Sequence, residues 1–178
     1  LLAKLMKILI ENAGAQFGYL ILEQEGKLLV EAKGSVESDR VEVLRSLPID
    51  STKNGNTPIV PLAIINYVAR TKESVVLNDA TREGKFTKDP YIIHNEPQSI
   101  LCAPLIDRGK LSGIVYLENN LTTGAFTPDR LEVLHLLSAQ AAISIQNARF
   151  YTETARLKTA YERFVPRQFL QFLDKESI

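Results

Sequence analysis

One cysteine, Cys102, and two histidines, His94 and His135, hold most of the nucleophilic, metal-binding and neutral-pH proton chemistry open to this 178-residue chain. Cys102 lies in SILCAPLIDRGKLSGIVYLENN, residues 99–120, between Leu101 and Ala103, with no Lys, Arg or His adjoining it to lower its pKa. It reads as a packed thiol of a core or pocket wall, with a redox or ligand-contacting thiol as the alternative. Neither an acidic residue nor an Arg-Thr-Pro run follows His135 in LEVLHLLSAQ, so it reads as a partly exposed helix histidine and not a phosphoacceptor. The thiol and the two imidazoles lack ligand spacing, and no metal site is expected. No P-loop, GxSxG, HExxH or paired-carboxylate constellation occurs, so catalysis within this chain is not expected. The remaining candidates sit in REGKFTKDPYIIHNEP, residues 82–97, where Phe86, Tyr91, His94 and Asn95 offer aromatic faces and convergent polar groups. With Cys102 and Tyr116 they form a candidate ligand pocket; the competing reading is that Phe86 and Tyr91 plug the loop onto the fold.

These residues need elements to hold them. LLAKLMKILIENA predicts an amphipathic helix over 1–12, with Leu2, Leu5, Ile8 and Leu9 on one side. The chain opens with this helix already in progress, which points to a piece of a longer polypeptide. Residues 17–33 read as a β-hairpin turning at Glu25 and Gly26. Its first strand is apolar on both faces, so it belongs in the middle of a sheet. VEVLRSLPI, residues 41–49, reads as a third strand, DSTKNGNTP as a loop, and Pro61 as the first turn of a helix through LAIINYVART. SVVLNDAT returns to a short strand. SILCAPLI and LSGIVYLEN form a second hairpin around Asp107 to Lys110. A long helix then starts at Thr127-Pro128-Asp129 and meets no Pro or Gly before about Phe164. Ile143, Phe150, Leu157 and Phe164 recur every seven residues along it, the spacing of a helix-pairing seam. Leu134, Ala141, Ala148 and Ala155 form a second, smaller stripe. A straight helix of this length runs about 55 Å, longer than a domain of this size is wide, so homodimerisation through the terminal helices is expected, with Leu2, Leu5 and Leu9 contributing.

Composition narrows the class. Hydrophobic residues make up 45% and charged residues 24%, the mix of a folded globular chain. Lys plus Arg equal Asp plus Glu at 21 each, which gives no electrostatic case for nucleic acid or an anionic membrane as partner. No apolar run approaches the roughly 20 residues that span a bilayer, no signal-peptide pattern opens the chain, and a lone cysteine cannot pair within it. A cytoplasmic location is expected.

The order helix, hairpin, strand, helix, strand, loop, hairpin, long helix resembles a GAF domain. IINYVARTKESVVLNDA (64–80), SILCAPLIDRGKLSGIVYLEN (99–119) and FTPDRLEVLHLLSAQAAISIQNARFY (126–151) carry the resemblance. It implies an α+β fold: a central antiparallel sheet with the N- and C-terminal helices on one face and a small-molecule pocket on the other. The domain would cover 1–153, with sheet and loops over 15–120 and the long helix from 128; residues 154–178 would be a signalling-helix linker towards an output domain. YERFVPRQFLQFLDKESI, residues 161–178, resembles the connector into the class III adenylate/guanylate cyclase domain of bacterial signalling proteins. The resemblance thus implies a regulatory domain of a bacterial signalling protein that senses a small-molecule effector and relays to a cyclase or kinase, with a ligand-free dimerisation spacer as the alternative.

Family ligands leave marks that are incomplete here. Bilin-binding members resemble one another in a Cys-His pair, whereas Cys102 precedes Ala103 and Pro104, and His94 has no adjacent cysteine, so a bilin is not expected. The family's methionine sulfoxide reductases need several cysteines. Asn119, Phe126 and Asp129 resemble the cyclic-nucleotide motif, but Asn120 stands in place of its lysine and Arg130 in place of its glutamate. The salt-bridging partners are missing. Phe126 stapling the helix start and Asp129 at the positive helix end explain those positions without a nucleotide.

Overall fold

A computed structural model describes residues 2–36, 40–53 and 57–164. Two hairpins form the framework. Strands β1 (Phe17–Gln24) and β2 (Lys27–Ser35) turn through Glu25 and Gly26, both at positive φ (51° and 80°). Strands β7 (Ser99–Asp107) and β8 (Lys110–Asn119) turn through Arg108 and Gly109 at 48° and 77°. Paired positive-φ residues give the turn twist that matches the right-handed twist of the strands. β1 pairs antiparallel with β8 and joins the hairpins; β3 (Arg40–Pro48) adds to β2, and β6 (Val75–Leu77) to β7. The resulting six-stranded order is β3-β2-β1-β8-β7-β6, with β1 inside the sheet as its doubly apolar sequence requires. The segment read as the DSTKNGNTP loop contributes a small second ribbon, β4 (Thr52–Lys53) with β5 (Thr57–Pro58).

The two sheet faces bury different partners. Tyr19, Ile21, Ile100, Cys102, Ile114 and Tyr116 share a core with helix α2 (Leu62–Thr71), the segment around Phe86 and the short helix α3 (Pro90–Asn95). The opposite face receives helix α1 (Leu2–Ala13) at two glycines. A Cβ on Gly34 would stand 2.6 Å from Ile10 Cδ1 of α1, and one on Gly18 would stand 3.4 Å from Met6 Cε of α1 as well as 2.5 Å from the Tyr116 carbonyl oxygen of β8. Glycine at these positions allows the close approach. The buried side of α1 is therefore Met6, Leu9, Ile10 and Ala13, while Leu2, Leu5 and Ile8 are half-buried, a rotation from the expected stripe. Leu9 is spent on the chain's own core and offers nothing to a dimer seam.

Helix α2 begins one residue later than its proline implied: Pro61 is its N-cap, at φ −72° and ψ 97°, and has no side chain to cap with. Asp89 supplies the missing acceptor. Its Oδ2 takes the N–H of Ala63 (2.8 Å) in the first turn of α2, and its Oδ1 takes that of Tyr91 (2.8 Å) in the first turn of α3. One buried carboxylate thus serves two helix N-termini. Helix α4 spans Pro128–Phe164, with Pro128 at its first position and Asp129 in its first turn, as the sequence implied. By backbone contacts the chain divides into two units, 1–143 and 144–178. In the first, Leu134, Ala141 and Ala142 are buried and His135 is exposed. In the second, Ala148 and Ala155 of the small-residue stripe are exposed. The side chain of Phe164 and most of the tail read as a cyclase connector, from 165 onward, lie outside the described residues.

Candidate functional site

A cavity of about 600 Å³ opens on the α2–α3 side of the sheet. Strand pairing between β1 and β2 places four of its ten lining residues. Phe17 lies opposite Ser35 and Tyr19 opposite Lys33, so two β1–β2 pairs on one face, with the Gly18–Gly34 pair between them, each present an aromatic beside a polar group. Thr57, Pro58 and Ile59 come from β5 and the residue after it. Helix α3 completes the wall with Tyr91, His94 and Asn95, whose i, i+3, i+4 spacing puts them on one helical face. That face is fixed at both ends: Asp89 caps its start, and Asn95 Nδ2 donates to the Tyr91 carbonyl at 2.9 Å.

Under the wall lies a buried polar cluster. Tyr91 and Tyr116 donate their hydroxyls to Glu118 Oε2, at 2.8 and 2.6 Å. Glu118 is fully buried, and its Oε1 has no hydrogen-bond partner. The rings form a ladder: Phe17 meets Tyr19 edge-on at 5.9 Å, Tyr19 stacks on Tyr116 at 6.3 Å, and Tyr116 meets Tyr91 edge-on at 6.2 Å. Burial raises the Glu118 carboxyl above its usual range, against the pull of hydrogen bonds from the Tyr116, Tyr91 and Asn120 side chains. Burial, and then the nearness of Glu118 and Glu42, pushes the Tyr19 hydroxyl up to about 12. Tyr91 and Tyr116 are raised as well, by burial first and Glu118 second.

Of the six candidates, Tyr91, His94 and Asn95 line the cavity, and Phe86, Cys102 and Tyr116 do not. Phe86 is buried with its ring edge-on to Tyr67 at 5.6 Å, and Lys85 Nζ sits 3.8 Å over the Tyr67 ring. It plugs the loop onto α2. Cys102 pairs with Tyr116 across β7–β8 and is fully buried, and burial alone pushes its thiol up. Tyr116 stands one layer beneath the cavity wall, facing Glu118. Sequence reading missed Phe17, Tyr19, Lys33, Ser35, residues 57–59 and Glu118; the one available signal was a carboxylate in the otherwise apolar run IVYLEN.

The cyclic-nucleotide-like positions serve the helix junction. Asn119 Nδ2 donates to the Gly14 carbonyl at 3.0 Å, and its Oδ1 accepts from the backbone of Leu121 and Thr122 at 3.0 and 3.1 Å. Phe126 is buried, and Arg130 Nη1 donates to the Ala125 carbonyl at 2.7 Å. Among the described residues no cluster of three or more His, Cys, Asp or Glu could hold a metal, and no helix is long and apolar enough to cross a membrane.

A family model described as the GAF domain matches residues 1–145, against the expected limit of 153. Hybrid signal transduction histidine kinase G of Dictyostelium discoideum is 43% identical over 96 residues, 54% of this chain and 3% of that protein. Peroxide stress-activated histidine kinase mak3 of Schizosaccharomyces pombe is 24% identical over 152 residues, 85% of this chain and 6% of that protein. Both are eukaryotic, so they lend no support to the expected bacterial source. Among solved structures, the GAF domain of a two-component sensor histidine kinase from Bacillus halodurans superposes with a TM-score of 0.58 at 15% identity, covering 84% of this chain and 96% of that one.

Proposed function

Because the chain belongs to the GAF domain family, we propose that it is the small-molecule-sensing and dimerising regulatory domain of a longer signalling protein, with a histidine kinase as its output. The observation that carries the sensing half is the cavity of about 600 Å³, a size ordinary for small-molecule sites, with lysine, imidazole, hydroxyl and amide groups on an aromatic wall. The kinase output rests on the curated relatives, of whose length this chain spans 3% and 6%, and it displaces the cyclase as the favoured output. The dimerising half rests on α4, where Ile143, Phe150 and Leu157 are 45%, 70% and 54% exposed at seven-residue spacing. Three large apolar side chains left in water at that spacing fit a two-helix seam. Ligand entry then biases two packings of the helix pair, with coupling set by the difference in ligand affinity between them, typically about 1–3 kcal/mol.

Phe150→Glu places two like charges in that seam and removes its largest aromatic. Sedimentation velocity is expected to show a dimer for the native chain and a folded monomer for the variant, with dimer affinity falling about a hundredfold or more. An unchanged dimer contradicts the seam. The spacer alternative draws on the Phe86 plug, which fills its part of the roof without a ligand.

A further inference from the structure

Glu118 is fully buried: the hydroxyls of Tyr116 and Tyr91 are held on its Oε2, the Asn120 side chain also favours its charged form, and Oε1 has no hydrogen-bond partner. Leaving a buried carboxylate oxygen unpaired costs more than a typical hydrogen bond returns, so this acceptor calls for a donor. Tyr91 connects it to the cavity: its side chain is part of the cavity wall and its hydroxyl ends on Glu118. Phe17 and Tyr19 stand on the same wall, and Tyr116 lies behind. Several aromatic rings beside a desolvated carboxylate attract an organic cation, the rings through their quadrupoles and the carboxylate through charge-assisted hydrogen bonds.

We propose that the cavity takes an amine-bearing small molecule, whose ammonium N–H groups are received by Glu118 as the Tyr91 hydroxyl gives way. The inference rests on the sensing reading above and names its ligand class. Lys33 and His94 are the cationic and titratable groups on the wall, and with Ser35, Thr57 and Asn95 they are placed to meet an acceptor at the other end of the molecule. Glu42 is close enough to raise the Tyr19 hydroxyl and so adds negative potential on that side. Exchange of Tyr91 for the ligand at Glu118 also has a structural consequence. Glu118 accepts the Gln16 N–H on its backbone carbonyl at 2.9 Å, and its neighbour Asn119 holds Gly14 at the end of α1. The ligand would therefore act on the strand end that ties α1 to the segment leading into α4.

The test uses two probes of matched length and opposite charge, phenethylamine and 3-phenylpropionate, titrated calorimetrically into the native chain, Glu118→Gln and Tyr91→Phe. Phenethylamine is expected to bind and 3-phenylpropionate not to. Glu118→Gln should weaken the amine at least tenfold, and Tyr91→Phe, which removes the competing hydroxyl, should tighten it threefold or more. A merely structural Tyr91 would not give tighter binding. If Glu118→Gln does not fold, Tyr91→Phe decides alone, and unchanged or weaker amine binding overturns the proposal. Binding of the anion in place of the amine overturns the ligand class and leaves the sensing reading standing; binding of neither overturns the amine class, while a different molecule carried through purification would still uphold sensing.

Discussion

Cys102 is the residue whose chemistry looks most available in the sequence and is least available in the fold. It faces Val75 and Tyr116 across its strand pairs and has no solvent exposure. Its thiol is raised by burial from an ordinary value of 9.0, so the folded chain keeps a proton that the unfolded chain gives up. That contribution to stability is full below the unfolded value and is lost as pH rises past it. Cys102→Ala is expected to cost about 1–2 kcal/mol near neutral pH by removing buried sulfur. Its stability should also fall less steeply than the native chain's between pH 8 and 10, read from urea midpoints; an identical alkaline slope contradicts the assignment. Leu101 and Ala103 already made a core thiol legible. Glu118 was harder to read, because a glutamate in a strand looks like a solvent-facing residue until α3 is known to bring Tyr91 over that face of β8.

At the scale of elements, local signals were strong where one segment explains itself. Two-residue turns with glycine, and a proline-acid start before a run free of Pro and Gly, marked both hairpins and α4. Helix α3 lies in the segment that reads from sequence as a loop. At six residues it is too short for periodicity to speak, and half of what fixes it is the second Asp89 bond, reaching Ala63 across 26 positions. Such pairing leaves no trace in sequence spacing. Asp89→Ala uncaps α2 and α3 together and is expected to cost about 2–3 kcal/mol, about twice a single cap. Thermal unfolding followed by circular dichroism checks it; a loss under about 0.5 kcal/mol contradicts the double cap. The same change should loosen the face bearing Tyr91, His94 and Asn95.

For the whole molecule, the fold class was legible because hairpin, helix and long-helix patterns occur in an order few architectures share. Most of the cavity was not, since alternation along β1 and β2 tells which residues share a face but not which face holds a cavity. Phe17, Tyr19, Lys33 and Ser35 acquire a role only once α3 and the β5 segment stand opposite them. On the proposed function, this cavity holds a small molecule in a dimer paired through α4. Native mass spectrometry of freshly purified protein, followed by the denatured mass of the same sample, tests it most directly. The expected result is a dimer carrying extra mass that disappears on denaturation. A bare dimer would contradict sensing in favour of a spacer, and extra mass retained after denaturation would contradict the buried, inert Cys102.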